Sequence, residues 1–444
     1  MKKKQPRIFI GPCEIAGYYA NLAKGFHELG MPCDFISYQA HPFEYGGESQ
    51  TPFLIRLGRR FTESRLGRRN SKALRAISVL TSQACFNIWG LLAIFRYDVF
   101  IFGFGQSLLR GNIDLFLLRV LRKKVIANLA HGSEARPPYI DGARQSKDGV
   151  YPSIEKILEL TMRVKARVSR NESWASVVIG APLSTSHFCR KKFVNWFAMG
   201  VPIQINRAIS NPSVACELSK ENSSVPIRIL HSPSHPAAKG TAIIKEAIEN
   251  LKKVGYAIDF ILIHGKPVSD VIEEIKKCDF VVDQLYSDTP MAGFATEAAW
   301  FGKPSVVGGY GWAMLRGFVT YDMWPPSQIC CPDDIQRAIE CLIYDREERE
   351  RLGQQAQVFV LEKWNVKAVA ERFLRLIQDD IPDDWWLDPD DVCYLGGGLQ
   401  PIEKTKENVK QMIDQFGIDS LRLSHRPDLE KAFLEFAGLK EAQS

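Results

Sequence analysis

IRILHSPSHPAAKGT at residues 227–241 and FVVDQLYSDTPMAGFATEAAWFGKPSVVGG at residues 280–309 are the stretches whose reading decides the fold. Each opens with a short apolar run, passes through a turn rich in small residues and enters a helical pattern. Residues 227–231 read as a strand, 241–254 as a helix and 258–264 as the next strand. The alternation continues with helix 268–277, strand 280–283, helix 292–301 and strand 305–307. Strands joined through helices by short loops build a doubly wound parallel sheet. Ligands of such sheets lie beyond the carboxyl ends of the strands, which directs attention to the residues after His231 and Asp283.

Ser232, Ser234 and His235 follow the first of these strands, and Lys239, Gly240 and Thr241 open the next helix. Small residues admit close backbone approach, a helix start offers unpaired N–H groups, and Lys239 adds positive charge, a combination suited to a diphosphate. A plain turn capped by Thr241 is the alternative reading. After Asp283 come Gln284, Tyr286 and Thr289, then Ala292, Gly293, Phe294, Ala295, Thr296 and Glu297. Gly293 lets the backbone fold beneath a ligand as the helix begins. Glu297 falls on the first turns of that helix, able to accept from a ribose or simply to sit well near a helix N-terminus.

Outward from this region, the first half repeats the pattern. Strands are expected at 7–11, 33–37, 97–102, 124–129 and 176–179, and helices at 15–29, 107–121 and 153–170. Its strand ends supply Gly11, Glu14 and Gly17, and then His131, Ser133, Glu134 and Arg136, as candidate cleft contacts; His264 is the corresponding candidate in the second half. A lone histidine after a strand is otherwise an ordinary polar turn residue. The expected division is 1–205, 206–355, a closing helix at 356–380 and a helical tail at 381–444, with a polar linker at 206–225.

The 444 residues suffice for two cores, and a net charge of +6 does not imply nucleic acid as a partner. Ten cysteines without a CxxC pair read as reduced thiols of a cytoplasmic protein. The basic start at Lys2 to Lys4 runs into Pro6 and a strand, so no secretion leader is expected. The apolar run at 84–95 is shorter than the roughly 20 residues of a membrane span, so none is expected. Before it, Arg56, Arg59, Arg60, Arg65, Arg68, Arg69, Lys72 and Arg75 lie in a stretch, 42–75, read as a loop. Joined to the apolar residues 76–95, it is either a solvated loop or a surface for an anionic membrane, giving a peripheral location.

The run KGT before a helix, the strand ending in DQL and the segment GFATEAAWFGKPSVV together resemble the C-terminal domain of the retaining glycosyltransferases of family 4. Residues 131–136 resemble the family's HGSD-type segment, 11–17 its glycine-rich first loop and 358–366 its closing helix; the likeness covers residues 7–380. It implies a GT-B fold, with two Rossmann-like doubly wound domains facing across a cleft, the N-terminal one for the acceptor and the C-terminal one for the donor. It implies transfer of a sugar from a nucleotide-sugar donor to a glycan, lipid-linked or other acceptor, with retention, without metal and without a cofactor beyond the donor. It assigns Lys239 to the donor phosphate, the 293–296 backbone to the donor, Glu297 to the ribose and His131 to the transferred sugar, with His131 and Lys239 as the catalytic pair.

Three positions depart from the family pattern. Ser234 stands where an arginine precedes the phosphate lysine, Thr289 stands at the first glutamate of E-x7-E with Asp288 beside it, and 264–267 runs directly into a helix without the usual strand and helix. These departures keep a second class open, a GT-B scaffold retained as a nucleotide-sugar-binding or regulatory subunit. A dehydrogenase is disfavoured because no G-x-G-x-x-G follows a strand in either half.

Overall fold

The computed structural model of the protein describes residues 5–39, 51–67, 72–205 and 225–439. The linker expected at 206–225 lies outside these residues except for Val225, as do Arg68 and Arg69 of the basic stretch.

Six strands in the first half, β1 (Ile8–Gly11), β2 (Cys33–Phe35), β3 (Val99–Gly103), β4 (Lys124–Asn128), β5 (Val177–Gly180) and β6 (Phe193–Asn195), run parallel in the order β6-β5-β4-β3-β1-β2. β1 and β3 are buried along their whole length, as strands covered by helices on both faces must be. In the second half β7 (Ile227–His231), β8 (Ile258–Leu262), β9 (Phe280–Gln284), β10 (Ser305–Gly308) and β11 (Gln328–Cys330) form a five-stranded parallel sheet in the order β11-β10-β9-β7-β8. The chain thus folds as two doubly wound α/β domains facing across a cleft, the GT-B arrangement. In each, the strand order reverses beside the first strand, between β1 and β3 and between β7 and β9, and those two crevices are where a ligand fits.

The chain then returns. The helix Arg346–Lys363 ends at Trp364, and Asn365 caps a new helix, Val366–Ile377, by accepting from the Ala368 N–H at 2.9 Å. That helix packs on Tyr18–Glu28 of the first domain so closely that a Cβ on Gly25 would stand 2.0 Å from the Val366 carbonyl oxygen. Beyond it a two-residue strand, β12 (Trp386–Leu387), pairs antiparallel with β6 and extends the first sheet to seven strands. The helices Ile402–Phe416 and Pro427–Phe436 pack on the same domain, Tyr139 meeting the Phe433 ring edge-on at 5.7 Å.

Two expectations are corrected. Part of the basic stretch read as a loop is the helix Phe53–Gly67: Ile55 is fully buried, and Gly58 brings this helix against Phe86 of the helix Lys72–Arg96, where a Cβ would come within 2.5 Å of the Phe86 ring. The charges masked a helical apolar spacing. The following helix is continuous, so Leu74–Arg96 is long and apolar enough by composition to cross a membrane, contrary to the length argument from 84–95. Its Trp89, Ala93 and Ile94 are nonetheless buried with Phe9, Phe100 and Phe102 of the first sheet, which makes it a layer of the domain with one face covered.

Candidate functional site at the facing strand ends

On the second domain, the residues after β7 and β9 come together. Gly240 takes a left-handed φ of 74° as N-cap of the helix Thr241–Lys253, and a Cβ there would meet the Leu285 Cβ at 2.6 Å, so only glycine lets the turn lie against the chain after β9. Beneath it His231 donates from Nδ1 to the Val282 carbonyl at 2.7 Å and accepts at Nε2 from the Thr241 hydroxyl at 2.9 Å. Burial holds this imidazole down to about 4, so it stays neutral and ties β7, β9 and the helix start together.

Lys239 reaches Asp283 at the end of β9, Nζ to Oδ1 3.0 Å. One ammonium hydrogen is used there and two remain. The helix Gly293–Trp300 follows β9, with Gly293 exposed at its start. The Phe294 side chain packs into the core with Leu230 and Val281, Ala295 is buried, and the Thr296 hydroxyl bonds back to the Ala292 carbonyl at 2.8 Å, so these residues offer backbone rather than side chains to a ligand. Glu297 is half-buried one turn in. Gln284 donates to Ser287 at 2.6 Å, and Ser287 and Thr289 bond within their own loop. Ser232 is half-buried, Ser234 is exposed, and His264 bonds the Pro233 carbonyl at 2.8 Å. His235 accepts at Nδ1 from the Ala238 N–H and donates from Nε2 to the Gln145 carbonyl of the first domain at 3.3 Å.

On the first domain, His131 follows β4, half-buried, with Nε2 2.8 Å from the Tyr19 hydroxyl and its ring edge-on to Tyr18 and Tyr19. Burial holds the imidazole down to about 4. Glu134 turns back to accept the His131 backbone N–H at 2.7 Å, its other oxygen has no partner among the described residues, and burial pushes its carboxyl up to about 7. Glu14 accepts from the N–H groups of Ile15, Tyr19 and Ala20 at 2.7, 3.2 and 2.8 Å. The N-terminus of the helix Tyr18–Glu28 is therefore occupied by its own carboxylate, and burial raises the Glu14 pKa. Gly11 and Gly17 shape the loop: a Cβ on Gly11 would meet the Ile36 carbonyl oxygen at 2.1 Å. Between them Ala16 faces the other domain, 3.8 Å from where a Gly293 Cβ would stand.

Arg136 spans the cleft. Its guanidinium bonds Asp141 at 2.9 Å and, from Nε at 3.1 Å and from NH2, Asp288 of the second domain. Asp288, beside Thr289, is thereby engaged by a cation of the facing domain. The tail covers this pair: the Leu399 N–H donates to the Tyr286 carbonyl at 2.8 Å, the Gly398 carbonyl accepts from the Gly142 N–H at 2.9 Å, and a Cβ on Gly398 would strike Asp288 Oδ1 at 2.5 Å. Ser133 offers its carbonyl to Arg144. Across the two domains the structure brings together Arg136 and Asp288, His235 and the Gln145 carbonyl, and Ala16 and Gly293, while His264 lies apart beside Leu262 and Lys266; the pairing partners Tyr19, Asp283 and the tail glycines were missed. The run Gly396-Gly397-Gly398 was the one sequence signal for the tail's part, since three glycines together permit a close backbone crossing.

A scan against protein-family models finds no match, and no curated protein matches the sequence. Solved structures do align. A crystal structure of Anabaena HepE in complex with UDP overlaps 84% of this chain and 100% of its own at 12% identity and TM-score 0.45. The glycosyltransferase SnogD from Streptomyces nogalater overlaps 84% and 100% at 13% identity and TM-score 0.39. A putative UDP-N-acetylglucosamine 2-epimerase from Listeria monocytogenes overlaps 85% and 97% at 9% identity and TM-score 0.39.

Proposed function

We propose that the cleft binds a nucleotide-sugar donor and that the protein is a glycosyltransferase. The observation that carries this reading is Lys239, which precedes the helix Thr241–Lys253 and is held by Asp283 of the adjacent strand β9, the strand that leads into the helix Gly293–Trp300. An ammonium beside a helix start at the end of adjacent strands suits a diphosphate in charge and in donor type. In the transfer, the bond from the anomeric carbon to the diphosphate oxygen breaks, a bond to an acceptor hydroxyl oxygen forms, and the hydroxyl proton passes to the departing diphosphate. Charge grows on that diphosphate in the transition state, where fixed donors act with little reorganisation. Lys239 and the helix starts supply this stabilisation without an obligatory metal, and transfer proceeds with retention. Glu297 holds the ribose, and neutral His131, oriented by Tyr19, meets the transferred sugar from the facing domain.

Titration of the protein with UDP, GDP and their sugars by calorimetry, followed by a donor-hydrolysis and transfer assay, tests this. Binding with turnover supports the transferase, binding without turnover supports the regulatory scaffold, and the absence of nucleotide binding refutes both.

A peripheral location at the cytoplasmic face of an anionic membrane is also proposed. It is supported by the outer side of the helix Lys72–Arg96, where Leu74, Ile77, Leu80, Ile88, Leu91 and Phe95 are exposed at helical spacing, Leu80 by 69% and Phe95 by 72%. Arg75 and Arg96 flank this stripe. Apolar burial with basic flanks is the chemistry of interfacial binding. Flotation with anionic and neutral liposomes tests it: protein that stays in solution with both excludes the location.

A further inference from the structure

A cavity of ≈ 1090 Å³ lies in the first domain beyond the carboxyl ends of β1, β2 and β3, away from Lys239. One wall is the inner side of the helix Lys72–Arg96, which is polar there through Ser78, Ser82, Gln83 and Asn87. The opposite wall is the helix Ile154–Trp174, which presents Arg163, Arg167 and Arg170 at spacings of four and three, on one face. Two carboxylates also line the cavity, and both are engaged: Glu14 caps its own helix and Glu159 pairs with Arg163 and Lys156. Arg167 and Arg170 form no ion pair among the described residues.

Arg167 is the best placed of these. It is half-buried, and its stem passes beneath Gly105, where a φ of 62° and the absence of a Cβ leave room: a Cβ would stand 2.6 Å from Arg167 Cδ. Its NH1 donates to the Glu134 carbonyl at 3.3 Å, which fixes the guanidinium plane and leaves most of its five donors unused. The same Glu134 accepts the His131 N–H, so Arg167 is two bonds from the sugar-facing histidine. The cavity also reaches residues 12–15, next to Ala16, which faces Gly293 across the cleft. An occupant would therefore lie against the end of the cleft where the donor's sugar is proposed to sit.

We propose that this cavity is the acceptor site and that it selects a saccharide bearing an anionic group, a carboxylate or a phosphate, which Arg167 grips and Arg170 supports. The term acceptor rests on the transferase reading; the anion selectivity does not. A planar guanidinium with free paired donors matches either anion bidentately, and a half-buried one does so with less screening than a surface charge.

Calorimetry on the full chain with glucuronic acid, glucose 6-phosphate and glucose tests the proposal, with UDP titrated on the same samples. At least one anionic sugar is expected to bind tenfold or more tightly than glucose. Arg167→Gln is expected to abolish that advantage, and Arg167→Lys to restore part of it, while UDP binds all forms equally. Preference for glucuronic acid identifies a uronate, preference for the phosphate a phosphorylated saccharide. Equal binding of glucose and both anionic sugars, or an unchanged preference in Arg167→Gln, overturns the proposal. Should Arg167→Gln lower the unfolding midpoint sharply, the exposed Arg170→Gln carries the same test with a severalfold loss expected and no loss refuting it. If wild-type protein selects the anion but ignores UDP, the donor reading fails and the anion site stands.

Discussion

Replacing Lys239 by methionine acts on stability and on donor binding at once, and a second substitution separates the two. The Lys239 side chain is 14% exposed, Asp283 is fully buried, and Asp283 Oδ2 has no hydrogen-bond partner among the described residues, so Lys239 is the main compensation for a carboxylate that has left water. Removing one partner of such a pair costs about 3–5 kcal/mol, because an uncompensated buried charge remains. For a domain of ordinary size that lowers the unfolding midpoint by roughly 6–20 °C. In Lys239→Met with Asp283→Asn the charge is gone, and most of the lost stability is expected to return, with a residual deficit of about 1–2 kcal/mol for imperfect hydrogen bonding. Donor binding should not return. A charge-assisted bond to phosphate contributes about 1.5–3 kcal/mol, so both variants should bind UDP about 10–150-fold more weakly than wild type. The assays are thermal unfolding and UDP calorimetry on wild type, single and double variants. A double variant that binds UDP as well as wild type refutes the phosphate role of Lys239. A single variant as stable as wild type refutes the structural weight of the pair.

Glu134→Gln tests the raised carboxyl. Its folded pKa of about 7 lies above the unfolded value, so its contribution to stability is full below about pH 4.5 and is lost as pH rises through 7. The glutamine variant, which still accepts the His131 N–H, should therefore gain on wild type between pH 4.5 and 7, by up to about 3 kcal/mol, and level off above. Denaturant titrations at pH 4.5 and 8 read this, and a difference independent of pH contradicts it. Gly240→Ala should cost about 2 kcal/mol or more, from a left-handed φ and overlap with Leu285, and a midpoint within error of wild type would contradict the geometry. Arg136→Met leaves Asp288 buried without its cation, while Asp141 keeps Arg144, and should cost about 3–5 kcal/mol; adding Asp288→Asn should recover part of it, and no recovery would refute coupling across the cleft.

Nine of the twelve strands among the described residues were legible as short apolar runs, most of them ending in a polar turn before a helix, whereas β6, β11 and β12, of only two or three residues each, were not expected. The same turns pointed to Lys239, Gly240, Gly293 and His131, since ligands of these sheets collect at strand ends. The helix Phe53–Gly67 was not legible: its arginines dominate the composition, and only the burial of Ile55 and the fit of Gly58 against Phe86 show what its apolar face does. Asp288 was noted as a neighbour of Thr289, yet its engagement by Arg136 depends on two segments about 150 residues apart.

What the sequence determined by itself was local: periodicity chose helix or strand, glycines marked turns that need a positive φ, and the strand-end lysine and histidine followed from element order. What the tertiary structure decided was pairing. His131 is oriented by Tyr19, Lys239 is held by Asp283, Arg136 is fastened to Asp288 beneath Gly398, and Arg167 lines a cavity without a carboxylate of its own. Burial and charge compensation depend on which distant side chains share a volume from which water is excluded, and no periodicity along one chain encodes that.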